Sequence, residues 1–418
     1  LKSFALRLFM NSIQLTTLDN GITIVHRQVQ HTEISHLGIM LDIGSRDELD
    51  NEQGLAHFWE HLAFKGTQKK NNMQIINRLE VIGGELNAYT TKEKICFHAS
   101  VLSPYFERAL ELITDITFHS TFPAKEIEKE RSVILEEMSM YYEAPEDAIQ
   151  DDFDELLFPN HSLGVNILGT NETVNSFKKK DLDAFIARNL DTSRIVISSI
   201  GKHSHDKVFK WAEKHVGQIP VKRNQVKRIT PPSMLPVERV TKRGLNQSHV
   251  ALGRQSYAIK HPDRLAFFML INLLGGPSMN SLLNVSIREK RGLVYSIEAN
   301  FTSYVDSGFW AIYFGTESNQ VNKSIKLIHK EFDKLKDRSL SPAQLLKIKS
   351  QLKGQMAMAE ESNLNFMLMM AKSLLDREKI ETIEEIFEQI DLVSSDQLQS
   401  LAQEMFQSEQ LSYLIFEP

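Results

Sequence analysis

GLAHFWEHLAFKGT, residues 54–67, is the stretch on which the fold of the whole chain turns. At about 100° per residue, a helix puts His57 and His61 one turn apart on one face, with Glu60 about 60° from His57 and about 100° from His61. Two imidazoles and a carboxylate then point toward one place, and these side chains can hold a zinc ion and take a proton from water. The same five residues also fit an ordinary solvated helix with incidental histidines. A catalytic zinc usually has three protein ligands, so the pattern demands a third from elsewhere.

The segment AKEIEKERSVILEEMSMYYE, residues 124–143, offers one. Its apolar stripe runs through Ile127, Ile134, Met138 and Tyr141, and Glu130 and Glu137 lie about 60° from that stripe. Glu136 falls about 180° from Ile127 and is expected to face solvent. Helical phase therefore selects Glu137 as a partly buried carboxylate, with Glu130 two turns earlier on the same line. Without the histidine pair, both would read as solvated flanks of an amphipathic helix.

Before residue 54, ITIVHRQV and SHLGIMLDIG alternate as strands do. After it, residues 71–82 predict a second helix ended by Gly83-Gly84, LNAYTTKEKICFHASVL predicts a strand or hairpin, and amphipathic helices follow from 103 to about 190. The stretch GQIPVKRNQVKRITPPSMLPVERV is rich in proline and basic residues without a sustained period, which marks a linker. Beyond it the pattern starts again. SHVALGRQSYA resembles SHLGIMLDIG, and LAFFMLIN at 265–272 lies over LAHFWEHL at 55–62, so that Phe267, Leu270 and Ile271 stand where His57, Glu60 and His61 stand in the first copy. The expectation is a duplicated domain whose second copy has filled its polar positions with core residues.

A chain of 418 residues and 47.9 kDa fits two or three domains. Hydrophobic residues at 42% and charged residues at 24% exclude disordered, collagenous and coiled-coil classes. Forty-eight Lys and Arg against 54 Asp and Glu give a net charge of -6, which offers no electrostatic case for nucleic acid or an anionic membrane. The longest apolar run, Leu265 to Leu274, is interrupted by Asn272 and falls short of the roughly 18 residues of a membrane span. The single Cys96 forms no intramolecular disulfide, and LKSFALRLFM makes a poor secretory signal, so a cytoplasmic location is expected, with those residues as a short extension before Asn11.

The run GLAHFWEHLAFKGT, followed by ERSVILEEM with Glu137 76 residues beyond His61, resembles the pitrilysin, insulinase and mitochondrial processing peptidase family of zinc metalloendopeptidases, the inverzincins. The resemblance implies that His57, His61 and Glu137 bind Zn2+, that Glu60 is the general base, and that Glu130 supports the site by orienting a ligating histidine. GGELNAYTTKE, residues 83–93, resembles the family's substrate-binding edge strand, in which Asn87 and Ala88 face an extended peptide. SIREKRGLVYSI looks like the family's Arg and Tyr pair, which implies that Arg288 and Tyr295 bind the substrate carbonyl and the developing oxyanion. In LLGGPSMNSLL, Pro277 stands where members often have a small residue, a departure that weakens the carry-over of a substrate-guiding role for this segment.

The fold expected is α+β with two homologous domains, each an antiparallel-rich sheet packed with helices: a zinc-binding domain at 1–220, a linker at 221–235 and a degenerate repeat carrying the Arg and Tyr pair at 236–418. The function implied is zinc-dependent hydrolysis of peptides or unfolded segments. In single-chain relatives of about twice this length the Arg and Tyr belong to the opposite half, so a homodimer is implied here. The alternative is a non-catalytic or partner-dependent subunit of a processing complex.

Overall fold

The computed structural model describes residues 13–224 and 227–418. The extension expected before Asn11, and positions 225 and 226 of the expected linker, lie outside the described residues.

Six strands in the first half, β1 (Ile13–Thr17), β2 (Thr23–Gln28), β3 (Ile34–Leu41), β4 (Glu85–Thr90), β5 (Ile95–Leu102) and β6 (Ile195–Gly201), form one sheet in the order β1-β2-β6-β3-β5-β4. The helices in this half of the sequence include α1 (Leu55–Ala63), α2 (Asn72–Glu80), α3 (Phe106–Phe118), α4 (Ala124–Glu143), α5 (Pro145–Leu157) and α6 (His205–Val216). In the second half, β7 (Glu238–Lys242), β8 (Ser248–Gln255), β9 (Val294–Ser303), β10 (Gly308–Thr316) and β11 (Ser412–Glu417) form a sheet ordered β7-β11-β8-β10-β9, and the helices in this half of the sequence include α7 (Arg264–Gly275), α8 (Val321–Asp337), α9 (Asn363–Arg377) and α10 (Ser395–Met405).

The two sheets share a pattern. In the first, β2 and β6 are parallel, and β6-β3, β3-β5 and β5-β4 are antiparallel. In the second, β7 and β11 are parallel, and β11-β8, β8-β10 and β10-β9 are antiparallel. The duplication expected from eight aligned residues thus extends over five strands per copy, with β1 an addition to the first. Each fold is α+β with a mostly antiparallel sheet, and α1 and α7 follow the matching strands β3 and β8.

In the first unit one sheet face, with Leu37, Ile39, Leu41, Phe97, Ala99, Ile195 and Ile197, packs on α1, α2, α3 and α6. The opposite face, with Val25, Met40, Cys96, Val196 and Ile200, packs on Phe366, Met367, Met370 and Ala371 of α9. Burial on both faces explains why β6, buried at all seven positions, carries no clean alternation. In the second unit α5 supplies Ile149 and Phe153 against Ala251, Leu414 and Phe416, while α7, α8 and α10 cover the other face.

Compactness therefore does not follow the chain. One unit comprises residues up to Met138, Val165–Arg228 and Ala359–Ile380; the other comprises Ser139–Gly164, Ile229–Met358 and Glu381–Pro418. The contiguous stretches 1–220 and 236–418 are each interrupted by a helical segment that grouped with the other sheet. Part of the proline-rich stretch also belongs to the first unit: the side chain of Arg228 is 7% exposed, with guanidinium nitrogens 3.0 Å from Asp42 and 2.8 Å from Asp47.

Candidate metal centre

Helix α1 begins at Gly54, whose φ of 96° lies in the left-handed region, and a Cβ there would meet the Leu168 carbonyl oxygen at 2.5 Å. The Glu48 carboxylate accepts hydrogen bonds from the backbone N–H groups of Gly54 at 2.9 Å and Ala56 at 2.7 Å. It thereby satisfies donors that a helix start leaves open and sets an acidic group against the positive end of the helix. Leu55, Phe58, Trp59 and Leu62 have no exposed surface. At roughly 1.5–3 kcal/mol each, their burial anchors α1 by about 6–12 kcal/mol, enough to hold polar residues on the remaining face. Trp59, the bulky residue inside the motif, packs against Phe97 and Phe185.

That remaining face carries His57, Glu60 and His61. On α4, Ile127 and Ile134 are buried as the stripe requires, Glu136 is exposed, and Tyr141 emerges toward solvent at the end of the helix. Glu137 reaches α1: its Oε2 lies 3.8 Å from His57 Nε2 and 3.6 Å from His61 Nε2. One ligand atom from each of the three residues lies within 4.8 Å of the others.

Glu130 stands behind His61, its Oε2 3.2 Å from His61 Nδ1 and its Oε1 2.8 Å from Lys65 Nζ. Burial alone would raise the Glu130 carboxyl, but the hydrogen bonds from His61 and Lys65 leave it below its ordinary range. Burial, with His61 adding to it, lowers His57 to about 3, so its imidazole is neutral, the form that binds metal. Its Nδ1 is buried and has no hydrogen-bond partner among the described residues, while Nε2 faces Glu137. Glu60 is shifted upward, chiefly by desolvation, and its Oε2 accepts a hydrogen bond from Thr90 Oγ1 at 2.5 Å.

This donor set fits zinc. Two imidazoles and a carboxylate match its ligand preference, and bonds of about 2.0–2.1 Å in a tetrahedron would separate donors by roughly 3.3 Å. The Glu137 distances of 3.6 and 3.8 Å need a few tenths of an ångström of closure, and the two imidazoles, with donor atoms within 4.8 Å, also close on the ion.

Among the described residues, strand β4 is the outermost strand of its sheet and pairs only with β5. Asn87 is exposed on it and its Oδ1 accepts from the Ala88 N–H; Ala88 is half-buried, on the face turned toward α1. Arg288 and Tyr295 belong to the second unit. Arg288 lies in a helical turn at Asn284–Glu289, 3.6 Å from the Glu289 carboxylate, and Tyr295, near the start of the edge strand β9, is 90% exposed with no hydrogen-bond partner among its described neighbours. The first unit thus gathers His57, Glu60, His61, Glu130 and Glu137, with Asn87 and Ala88 on its outer strand.

Three residues near the site had not been singled out from the sequence. Glu48 gave no signal, since six residues separate it from the amide it caps. Lys65 follows His61 by one helical turn, which places it beside the same face. Thr90 alternates with Leu86 and Ala88 along β4, so strand phase alone could have turned it toward α1.

The α+β unit occurs twice, and one copy brings a paired-histidine helix to a distant glutamate. Residues 23–171 match Insulinase (Peptidase family M16), and residues 176–352 match the Peptidase M16 inactive domain. The chain is 34% identical over 394 residues to an uncharacterized zinc protease of Bacillus subtilis, YmxG, covering 94% of this chain and 96% of that protein. It is 30% identical over 396 residues to the mitochondrial-processing peptidase subunit beta of Saccharomyces cerevisiae, covering 91% and 88%. The chain belongs to peptidase family M16. A protease from Helicobacter pylori has the same fold, with a TM-score of 0.91 at 22% identity over 97% of this chain and 99% of that one. No helix among the described residues is long and apolar enough to cross a membrane.

Proposed function

We propose that this chain is a zinc-dependent endopeptidase that hydrolyses peptides or unfolded polypeptide segments. The observation that carries the reading is the convergence of His57, His61 and Glu137 within 4.8 Å, with Glu60 on the same helix face. His57, His61 and Glu137 hold Zn2+, and Glu130 fixes the ring of His61 from behind. Zinc, when bound there, supplies a Lewis acid that lowers the pKa of water toward roughly 7 and polarises a carbonyl. Glu60 takes the proton from the attacking water onto its carboxylate and passes it to the leaving amine nitrogen. Arg288 and Tyr295 donate hydrogen bonds to the substrate carbonyl and the oxyanion that develops from it. Asn87 and Ala88 lie on an edge strand whose outer backbone groups can pair with an extended peptide, which favours unfolded chains over compact ones.

The working unit proposed is a homodimer, because one chain carries both the metal set and the Arg and Tyr pair; an active species that sediments as a monomer would reject it. No nucleic-acid or membrane partner is proposed, and the setting is the cytoplasm; fractionation of cells with an antibody to the chain would overturn that if it found the protein outside. The second reading, a non-catalytic or partner-dependent subunit, draws on the yeast relative, whose name makes it one subunit of an assembly. Retention of His57, Glu60, His61 and Glu137 together favours catalysis.

Elemental analysis and a peptide-mixture digest test the proposal. We expect about one zinc per chain, lost in His57→Ala, and in Glu60→Gln we expect zinc retained with turnover reduced by about 100-fold or more. Absence of stoichiometric zinc after reconstitution, or full turnover in Glu60→Gln, would overturn it.

A further inference from the structure

A general base works only if its carboxylate is held where the attacking water will be, and a glutamate side chain has three torsions with which to stray. On α1, Glu60 is only partly buried, so packing alone does not fix its oxygens. Among the described residues, the hydrogen bond it makes is to Thr90, whose Oγ1 donates to Oε2 at 2.5 Å. Thr90 sits on a rigid support. It pairs with Ile95 across the β4-β5 ladder, and a β-branched side chain in a strand has little freedom at χ1. Engaging one carboxylate oxygen leaves the other to receive a proton.

The position of Thr90 gives this bond a second consequence. It lies on the outermost strand, two residues beyond Ala88, roughly 6.6 Å along the strand. Leu86, Ala88 and Thr90 share the face toward α1, while Tyr89 packs on the opposite side of the sheet. The strand offered to an extended peptide is therefore the strand that grips the base, so the register in which a substrate pairs with β4 and the position of the Glu60 carboxylate are set by one element.

We propose that Thr90 is a positioning residue for the hydrolytic step, holding the Glu60 carboxylate in line with a peptide paired along β4. The proposal rests on Glu60 being the base. It predicts a loss in turnover rather than in binding, because the hydroxyl touches the base and not the docking groups.

The test compares Thr90→Val, which replaces the hydroxyl with a methyl while keeping the branched shape, with Thr90→Ser, which keeps the hydroxyl. Both are assayed as zinc-loaded protein on one unstructured peptide that the wild type cuts, with zinc content and thermal midpoint measured alongside. In Thr90→Val we expect kcat reduced by about 10- to 100-fold, below the full contribution of a general base, with KM within about twofold and zinc unchanged. Thr90→Ser should stay within about threefold of wild type, a rescue that a purely structural role would not give. Wild-type kcat in Thr90→Val, or a loss confined to KM, would overturn the proposal. If valine lowers the thermal midpoint or the zinc content, Thr90→Ala beside Thr90→Ser makes the same comparison: the hydroxyl must account for a difference in kcat, and equal rates in the two overturn it. Glu60→Gln in the same assay separates the two levels. An inactive Glu60→Gln with an unaffected Thr90→Val rejects the role of Thr90 alone, whereas an active Glu60→Gln rejects the assignment of the base on which it rests.

Discussion

Helices α1 and α7 occupy the same place in two copies of one fold, yet they use it oppositely. Where α1 has His57, Glu60 and His61, α7 has Phe267, Leu270 and Ile271, exposed by 0%, 1% and 2%. The fold asks only that these positions face inward beside the sheet. In the second copy apolar side chains close that space and belong to the core. In the first it is lined with imidazoles and carboxylates whose burial is unfavourable unless partners or a metal compensate. The candidate metal centre is thus a core position left polar, and the surrounding apolar anchors of α1 let it stay so.

The largest difference predicted between the copies appears in acid. The first unit buries His26 on β2, with Nδ1 2.8 Å from Ser199 Oγ and Nε2 2.8 Å from the His203 carbonyl oxygen, and desolvation lowers it from 6.5 to about 4. In the second unit burial also lowers His249 and His329, but not as far. A histidine depressed in the folded state binds fewer protons than in the unfolded chain. Stability is therefore unaffected above about pH 6.5, falls as the pH drops below it, and has lost its full share near pH 4, roughly 3 kcal/mol for His26 alone. Limited proteolysis of the metal-free protein at pH 7 and pH 5 should place the first new cuts within the first unit, and His26→Gln should weaken that pH dependence. First cuts in the second unit would break the comparison.

Next in size is the support beneath the histidines, for which α7 has no need. Glu130→Gln removes the charged acceptor behind His61 and the partner of Lys65. Zinc affinity should fall by about 10- to 100-fold, measured by competition with a chelating dye. An unchanged affinity would show that Glu130 only packs beside the site.

The parts of this comparison differ in how openly the sequence states them. The histidine face and the choice of Glu137 over Glu136 were legible because helical phase is a local property, readable within one segment. Strand β6 was not, because burial on both faces erases the alternation that announces a strand. The grouping of α5 with the second sheet and α9 with the first escaped for another reason: an amphipathic pattern says that a helix has a buried face, not which sheet covers it. Glu48 acts through bonds to residues 6 to 8 positions away that no period connects, and strand phase turns Thr90 toward α1 without naming its partner 30 positions away.

The smallest effect follows from making α1 more like α7 at one position. Glu60→Leu copies Leu270, which is buried in the second core. The upward shift of Glu60, whose main cause is desolvation, means that the folded state disfavours its charge. Leucine removes that penalty and adds apolar surface on the side of α1 that meets Thr90 of β4. Against this, Thr90 Oγ1 loses its acceptor, and the half-exposed position limits the gain from burial. The net should be about 1 kcal/mol of added stability in the metal-free protein, a rise of roughly 2–4 °C in the thermal midpoint, with hydrolysis lost. A midpoint equal to or below that of the wild type would mean that the space beside α1 is shaped for its carboxylate, and that the two copies differ in backbone as well as in side chains.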